Sequence, residues 1–351
     1  MGFAELSLPV RILLMVLSYV AEWLSYTAVE NPVSARVKER ARVRGWRLVP
    51  VLGLACSMVL AGGLWGLSTL QSPTSGTPVR AATVGAPMVA PEVVPSNLSS
   101  PLDGPALDPW FGPDCIGLVG EELGADCVRG RGALDVVVLG DSHGGHWGAA
   151  FDDGADELGA TVVPLIQNDC IPLDIGAITR ADGRPSPECS EWRGRAEEYL
   201  WESTPDMVVS AFWSDYVDRV PGAEASEVAS QERFHEGLKR LQEVVGEDTQ
   251  VVVVADTPYS EADPLRCLAG NLDSVAECVM ERPAGAGAAG TWKVGQGIHV
   301  VDPISWLCTD SGCFGVSDDT LLYRDTDPLT PEAAERVSPQ LVGALARVAA
   351  R

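Results

Sequence analysis

The chain has 351 residues, of which 46% are hydrophobic and 21% are charged, so it can bury at least one full-sized core and is not disordered as a whole. Its 49 acidic residues outweigh 25 basic ones and give a formal net charge of −24. Because binding to nucleic acid depends on Lys and Arg that neutralise phosphates, this acidic excess argues against a nucleic-acid partner.

The amino-terminal part differs from the rest, because residues 1–50 carry a net charge of +3. An apolar stretch from Ile12 to about Val29 is interrupted only by Glu22, and the stretch Leu48–Leu70 has no charged residue. The second is long enough to cross a hydrocarbon layer of about 30 Å at about 1.5 Å per residue. We predict two transmembrane helices. A cleavable signal peptide is the alternative, but two apolar segments around a basic loop fit it poorly. The positive-inside rule puts that loop, residues 35–44, in the cytoplasm and everything after Leu70 outside the cell membrane.

Residues 71–113 contain nine prolines and few large apolar side chains, so we predict a tether that forms no core of its own. The predicted organisation is therefore a membrane part over residues 1–70, this tether, and an extracytoplasmic domain over residues 114–351.

Eight cysteines follow the second apolar stretch, and an even number in an exported segment predicts disulfides. Eight cysteines allow 105 connectivities, but the close spacings favour pairing of neighbours in order. The sequence has no CxxC motif and no Cys/His cluster at ligand spacing, so neither a metal site nor another cofactor is predicted. The eight are Cys115, Cys127, Cys170, Cys189, Cys267, Cys278, Cys308 and Cys313.

The region after residue 114 alternates short Val-rich runs with amphipathic segments. Nearly continuous apolar runs are typical of strands covered on both faces, and the predicted strands are Leu134–Leu139, Thr161–Ile166, Met207–Phe212, Gln250–Ala255 and Ile298–Val301. The predicted helices are Trp147–Leu158, Ser190–Trp201, Ala225–Val245, Leu272–Met280 and Pro331–Val348. This alternation predicts an α/β fold with a doubly wound parallel sheet, whose site lies at the carboxyl ends of the strands.

A candidate nucleophile follows the first predicted strand, in the segment Gly140-Asp141-Ser142-His143. A serine where a buried strand turns into a helix has its hydroxyl at the edge of the sheet, near backbone N–H groups and the positive end of a helix dipole. The alternative is that Ser142 only caps the next helix, which is a common use of serine.

That segment resembles the nucleophile block of the SGNH hydrolase superfamily, and specifically its exported branch fused to acyltransferase family 3. Further segments between Cys115 and Arg351 are similar to that branch. The end of the first apolar stretch and the Glu-Asn-Pro after it resemble the end of the acyltransferase membrane domain. The similar segments are Asp206–Trp213, Ala255–Pro258, Asp302–Cys313, Leu322–Asp325, Leu17–Tyr19 and Tyr26–Val33.

The resemblance implies a three-layer, flavodoxin-like SGNH domain behind a remnant of the membrane domain and an extra crossing helix. It implies an enzyme that moves acyl groups, commonly acetyl, onto envelope polysaccharides, lipopolysaccharide or peptidoglycan. The implied partners are the glycan acceptor, an acyl donor and a complete acyltransferase membrane domain.

The resemblance also implies a serine ester, with Ser142 as nucleophile and an Asp-x-x-His block that supplies acid and base. Here the block begins at Asp325 and has Pro328 where the histidine is expected. Proline accepts no proton, so two hypotheses remain open. In the first, an acyltransferase or esterase uses His146, one helical turn after Ser142, as a displaced base. In the second, the domain is a pseudoenzyme that binds a glycan or a partner.

Three further residues are candidates for substrate binding. Asp141 precedes the nucleophile, Asn168 follows the second strand and offers an amide to an oxyanion, and Trp213 at the end of the third strand could line the acceptor cleft. Packing beneath a loop is the alternative for Trp213. His143, directly after Ser142, is expected to be a structural residue beside the site.

Overall fold

A computed structural model describes residues 84–85, 88–96, 98, 108–176, 186–218, 227–260, 262–282, 294, 297–326 and 328–351. All of them belong to one compact unit, Thr74–Arg351. Both predicted transmembrane segments lie outside the described residues. Within the ranges given, no helix combines the length and the hydropathy needed to cross a bilayer.

The core of the fold is a five-stranded sheet whose neighbouring strands are all parallel. Its strands are β1 (Leu134–Gly140), β2 (Ala160–Ile166), β3 (Met207–Ala211), β4 (Gln250–Val254) and β5 (Ile298–Val301), in the order β2-β1-β3-β4-β5. The chain leaves β1 for β2 on one side and later places β3 on the other, so β1 and β3 form the switch point at which such sheets bind ligands. The predicted parallel α/β sheet is confirmed.

Helices and hydrophobic clusters cover both faces of this sheet. Its helices are α1 (Ser142–Gly145), α2 (Gly154–Leu158), α3 (Pro187–Ser203), α4 (Glu227–Val245), α5 (Pro264–Gly270), α6 (Ile304–Leu307), α7 (Pro331–Arg336) and α8 (Ser338–Ala349). Two small hairpins follow α6, formed by β6 (Cys308–Thr309) with β7 (Gly312–Cys313) and by β8 (Val316–Ser317) with β9 (Thr320–Leu321).

Three predicted helices differ from the structure. The segment 147–158 is a 3-10 turn over Gly148–Phe151 followed by α2, and the last predicted helix is divided into α7 and α8 at Val337. The helix predicted over Leu272–Met280 is wrong, because this region contains only a 3-10 turn. The helix of this region is α5, which begins where the Asp263 carboxylate accepts two backbone N–H groups.

Within the described part of residues 71–113, which we predict to be a tether that forms no core of its own, several side chains are buried in the domain. Met88, Val94 and Trp110 are buried, and the Trp110 indole donates a hydrogen bond to the carbonyl of Cys127 at 2.7 Å. Backbone hydrogen bonds also attach the segment to the rest of the domain; for example, the N–H of Gly85 donates to the carbonyl of Arg336. Parts of the predicted tether are therefore packed into the same folded unit as the sheet, and the tether itself stays a prediction.

All eight cysteines after the second apolar stretch form disulfides between neighbours in the sequence, which confirms the pairing that their spacing favoured. The pairs are Cys115–Cys127, Cys170–Cys189, Cys267–Cys278 and Cys308–Cys313. Each closes a loop of between 5 and 19 residues. Such short loops restrict the unfolded chain and hold segments that have few apolar side chains of their own.

Candidate active site

Ser142 is the first residue of α1, directly beyond the carboxyl end of β1. The preceding Asp141 caps this helix: one carboxylate oxygen accepts the N–H of His143 at 2.8 Å, and its carbonyl accepts the N–H groups of Gly144 and Gly145. The strand approaches β3 so closely that a side chain on Gly140 would lie 2.1 Å from the carbonyl oxygen of Ala211. The sequence thus fixes a sharp, tightly packed turn with a half-buried serine at its apex.

Asp141 also joins this turn to the neighbouring strand. Its second carboxylate oxygen accepts the N–H of Trp213, just after β3, at 3.1 Å. The side chain is fully buried, and this burial raises the pKa of Asp141 to about 6 despite the opposing effects of His143 and the two backbone donors. Asp141 therefore positions the serine turn, and no contact assigns it to substrate binding, which stays a prediction.

The imidazole of His143 contacts a second buried carboxylate, Asp256, which follows β4. The two atoms joined are Nδ1 of His143 and Oδ1 of Asp256, 2.5 Å apart, and the side chains are 6% and 11% exposed. The other oxygen of Asp256 accepts both the N–H and the hydroxyl of Ser214 at 2.9 and 3.0 Å. Burial acts to raise the pKa of Asp256, but the charge and hydrogen bond of His143, with the Ser214 donors, hold it below its usual value.

His146 directly follows α1 as its C-cap, and its side chain is buried. Neither of its ring nitrogens has a hydrogen-bond partner among the described residues, so it is not bonded to Ser142. Burial, together with the nearby charges of His143 and Arg324, lowers the pKa of His146 well below its usual value. Its ring packs 5.6 Å from that of His143 and 5.1 Å from that of Trp147. The structure gives no contact that supports His146 as a base, and that role stays a prediction.

Asp325, the predicted triad acid, binds an arginine instead of a histidine. Its carboxylate accepts a hydrogen bond from Nε of Arg324 at 3.0 Å and is 45% exposed. Pro328 is buried, and its carbonyl accepts the N–H of Arg324 at 2.8 Å, which closes a tight turn around the block. The Arg324 guanidinium lies 5.4 Å from the ring centre of Phe111. Of the described residues of this block, Asp325 pairs with Arg324 and Pro328 contributes only its carbonyl.

The structure places the two remaining candidates at the same edge of the sheet. Asn168 is exposed in the turn after β2. Trp213 follows β3, is half-buried, and packs edge-on against Tyr216 at 5.2 Å. Their part in substrate binding stays a prediction. No group of three or more His, Cys, Asp or Glu side chains suited to a metal ion occurs in the described part of the chain.

Sequence reasoning assigned no role to Asp256 or Ser214, and it treated His143 as structural. A signal was present: Asp256 comes two residues after the end of β4, at the carboxyl edge where Ser142 also lies. Carboxylates at this edge of a parallel sheet are candidate site residues. The partner of Asp256 could not be found from spacing, because β1 and β4 are separated by β3.

The comparisons with known proteins agree with this architecture. A family model described as "SGNH domain (fused to AT3 domains)" matches residues 114–343, and no curated protein matches the sequence. The periplasmic domain of a lipopolysaccharide acetyltransferase from Salmonella ser. Paratyphi A is similar in structure, with a TM-score of 0.50 and 13% identity, over 67% of this chain and 92% of that one.

Two carbohydrate esterases give weaker similarity. A family 2 enzyme with a carbohydrate binding domain from Corynascus thermopiles (Myceliophthora fergusii) has a TM-score of 0.37 and 14% identity, over 64% of this chain and 69% of that one. A family two esterase from Clostridium thermocellum has a TM-score of 0.31 and 11% identity, over 62% and 66%. At such identities these similarities bear on the fold alone.

Proposed function

Because the chain belongs to the family of SGNH domains fused to AT3 domains, we propose that its exported domain transfers acyl groups to or from a cell-envelope glycan through an ester on Ser142. The observation that carries the proposal is the position of Ser142. It starts a helix at the carboxyl end of β1, beside the β1/β3 switch point, within a turn held by a buried carboxylate. A serine that only caps a helix would not need a buried carboxylate that ties its turn to the next strand.

In the proposed reaction, the Ser142 hydroxyl oxygen attacks the carbonyl carbon of an acyl donor, and a hydroxyl of the glycan later attacks the resulting ester. The oxyanion needs hydrogen-bond donors. Asp141 already takes the N–H groups of His143, Gly144 and Gly145. The N–H of Ser142 is not among these, and we assign it to the oxyanion together with the side-chain amide of Asn168.

The same proposal includes the setting of the domain. Two transmembrane helices within residues 1–70 would hold it at the outer face of the cell membrane. An acyl donor, handled by a complete acyltransferase membrane domain, would then supply the group that Ser142 takes up. The supports are the uncharged stretch Leu48–Leu70 and the basic loop before it.

One observation favours a second candidate function, a domain that binds glycan or partner without turnover. Pro328 replaces the expected histidine, and Asp325 is engaged by Arg324. Loss of one triad member usually reduces the rate by orders of magnitude but leaves activity that the oxyanion hole and binding provide. The two functions therefore differ in whether Ser142 reacts at all.

A fluorophosphonate probe tests this difference on the full chain in detergent. We expect Ser142 to be labelled much faster than in denatured protein and Ser142→Ala to lose the label. Ser190→Ala is the matched control, because Ser190 is an exposed serine on α3 and should not affect labelling. Labelling of the native chain no faster than that of denatured chain would leave the binding function as the better account.

A further inference from the structure

We propose that His143, oriented by Asp256, is the base that takes the proton of Ser142. This inference rests on the proposed function, because it assigns a residue to the reaction of the same serine. It reverses the expectation that His143 is only a structural residue beside the site. It also gives the chain an acid–base pair that does not involve the block ending in Pro328.

The first support is the geometry of the pair. In a catalytic triad, a buried carboxylate binds Nδ1–H of the histidine, so that the other nitrogen, Nε2, carries the lone pair that accepts the proton. Asp256 stands in this relation to His143, with Oδ1 2.5 Å from Nδ1. A hydrogen bond at Nδ1 fixes the tautomer and leaves Nε2 as the basic atom.

The second support is how firmly Asp256 is held. Its Oδ2 accepts the N–H and hydroxyl of Ser214, and its Oδ1 also accepts the N–H of Thr257 at 2.9 Å. These donors come from the ends of β3 and β4, so the carboxylate cannot turn away without losing several hydrogen bonds. A carboxylate held in this way keeps its charge and orients the imidazole.

The third support is that three other candidate groups described at this edge, Asp325, Asp141 and His146, are engaged or inaccessible. Asp325 is paired with Arg324, and Asp141 is committed to the backbone N–H groups of His143 and Trp213. His146 is enclosed in the core, and its lowered pKa makes it a weak proton acceptor.

The nucleophile and the proposed base are consecutive residues, so their Cα atoms are about 3.8 Å apart. No hydrogen bond joins the hydroxyl to the imidazole directly within the described part of the chain. Catalytic contacts are often long before substrate binds, and one water can carry the proton between two groups. In the proposed reaction, the base reaches the Ser142 proton once substrate is bound or through one water.

As the Ser142 oxygen forms its bond to the acyl carbon, its proton moves to Nε2 of His143, and the carbonyl pair moves to the oxyanion. The Nδ1 proton stays in the hydrogen bond to Asp256. When the tetrahedral intermediate collapses, the proton on Nε2 passes to the leaving oxygen of the donor. A glycan hydroxyl then repeats the sequence on the serine ester.

The central test is the rate at which the probe labels Ser142 in the His143→Gln variant of the full chain. Glutamine keeps an N–H donor for Asp256 but has no basic nitrogen, so it preserves a structural contact and removes the base. We expect labelling to slow by about 10²- to 10⁴-fold. His299→Gln is the matched control, because His299 lies on β5 and contacts Gln250, which begins β4 at the opposite edge of the sheet.

A second variant separates catalysis from support in another way. In His143→Gly, added imidazole should restore labelling in proportion to its concentration, which a lost structural contact would not do. Circular dichroism of each variant checks that it is folded. Should both variants fail to fold, the wild-type chain and Asp256→Asn still decide: labelling should rise with pH, and Asp256→Asn should move the midpoint of this rise to lower pH.

The outcomes distinguish the two proposals. If wild-type Ser142 is labelled and folded His143→Gln is labelled within a few-fold of wild type, the assignment of His143 is wrong and the proposed function stands. If Asp256→Asn leaves the pH midpoint in place, the assignment is also wrong. If wild-type Ser142 is not labelled, the proposed function fails and the assignment fails with it.

Discussion

Replacing His146 with leucine should make the domain markedly more resistant to acid. The ring of His146 is 2% exposed, and neither nitrogen has a hydrogen-bond partner among the described residues. Burial lowers the pKa of this imidazole well below its usual value, so it stays neutral in the folded protein. In the unfolded chain the same side chain binds a proton once the pH falls below about 6.5.

The sign and size follow from this difference in bound protons. Below pH 6.5 the unfolded state holds more protons at this position than the folded state, so the free energy of unfolding falls as the pH falls, by up to about 1.4 kcal/mol per pH unit. If the ring stays neutral throughout, the loss between pH 7.5 and 4.5 is at most about 3 kcal/mol. Leucine removes this contribution and the cost of burying unpaired ring nitrogens, which is about 1–3 kcal/mol.

The measurement is urea unfolding of the full chain in detergent with disulfides intact, followed by tryptophan fluorescence between pH 7.5 and 4.5. The raised pKa of Asp141 has the opposite effect, because it makes the fold more stable as the pH falls from about 6 towards 4. Wild type and His146→Leu share this contribution, so it cancels in the difference between them. His299→Leu is the control, and its pH-dependent gain should be smaller because His299 is only partly buried. A gap between wild type and His146→Leu that stays constant with pH would show that the buried ring binds a proton as readily in the folded state as in the unfolded chain.

Three further substitutions test the packing of the domain. Trp110→Ala should lower the free energy of unfolding by about 3–5 kcal/mol in urea titrations, because a fully buried indole is lost, whereas Trp201→Ala, at a 68% exposed position, should change it by less than about 0.5 kcal/mol. Thr330→Ala should cost about 1 kcal/mol in the same assay by removing the cap of α7. Replacing Cys170 and Cys189 together with alanine should cost about 3 kcal/mol, as expected for a loop of 19 residues, and an unchanged thermal midpoint would contradict this role.

The sheet could be predicted from the sequence because its signal is local. Each central strand is a short, nearly continuous run of valines, and all five predicted strands occur within one residue of their expected ends. The disulfide pairs were also predictable, because close spacing makes neighbours the nearest partners. The helix around Leu272–Met280 was mispredicted because its apolar residues do belong to a buried cluster, which made the segment resemble one face of a helix. The structure instead has a 3-10 turn here, next to the Cys267–Cys278 disulfide.

The candidate site was predictable only in part. Ser142 could be found because glycine, aspartate and serine after a buried strand mark a sharp turn at the edge of the sheet. The contact between His143 and Asp256 could not, because it joins residues 113 positions apart and depends on how side chains cross the end of β3. The pairing of Asp325 with Arg324 was missed for a different reason, since residues next to each other in sequence give no pattern of their own.

The described residues before residue 114 pack against the domain, so the folded unit begins earlier in the chain than the family match. The family match starts at residue 114, but Val94 is fully buried in a cluster with Leu268 and Val316. The contacts on either side of it use main-chain groups, such as the Val94 N–H to the carbonyl of Leu272. Main-chain hydrogen bonds tolerate many side chains, so a family pattern can end before the folded unit does. A fragment cut at the family boundary would lose part of its own interior and expose an apolar face prone to aggregation, whereas one begun near residue 84 would keep it.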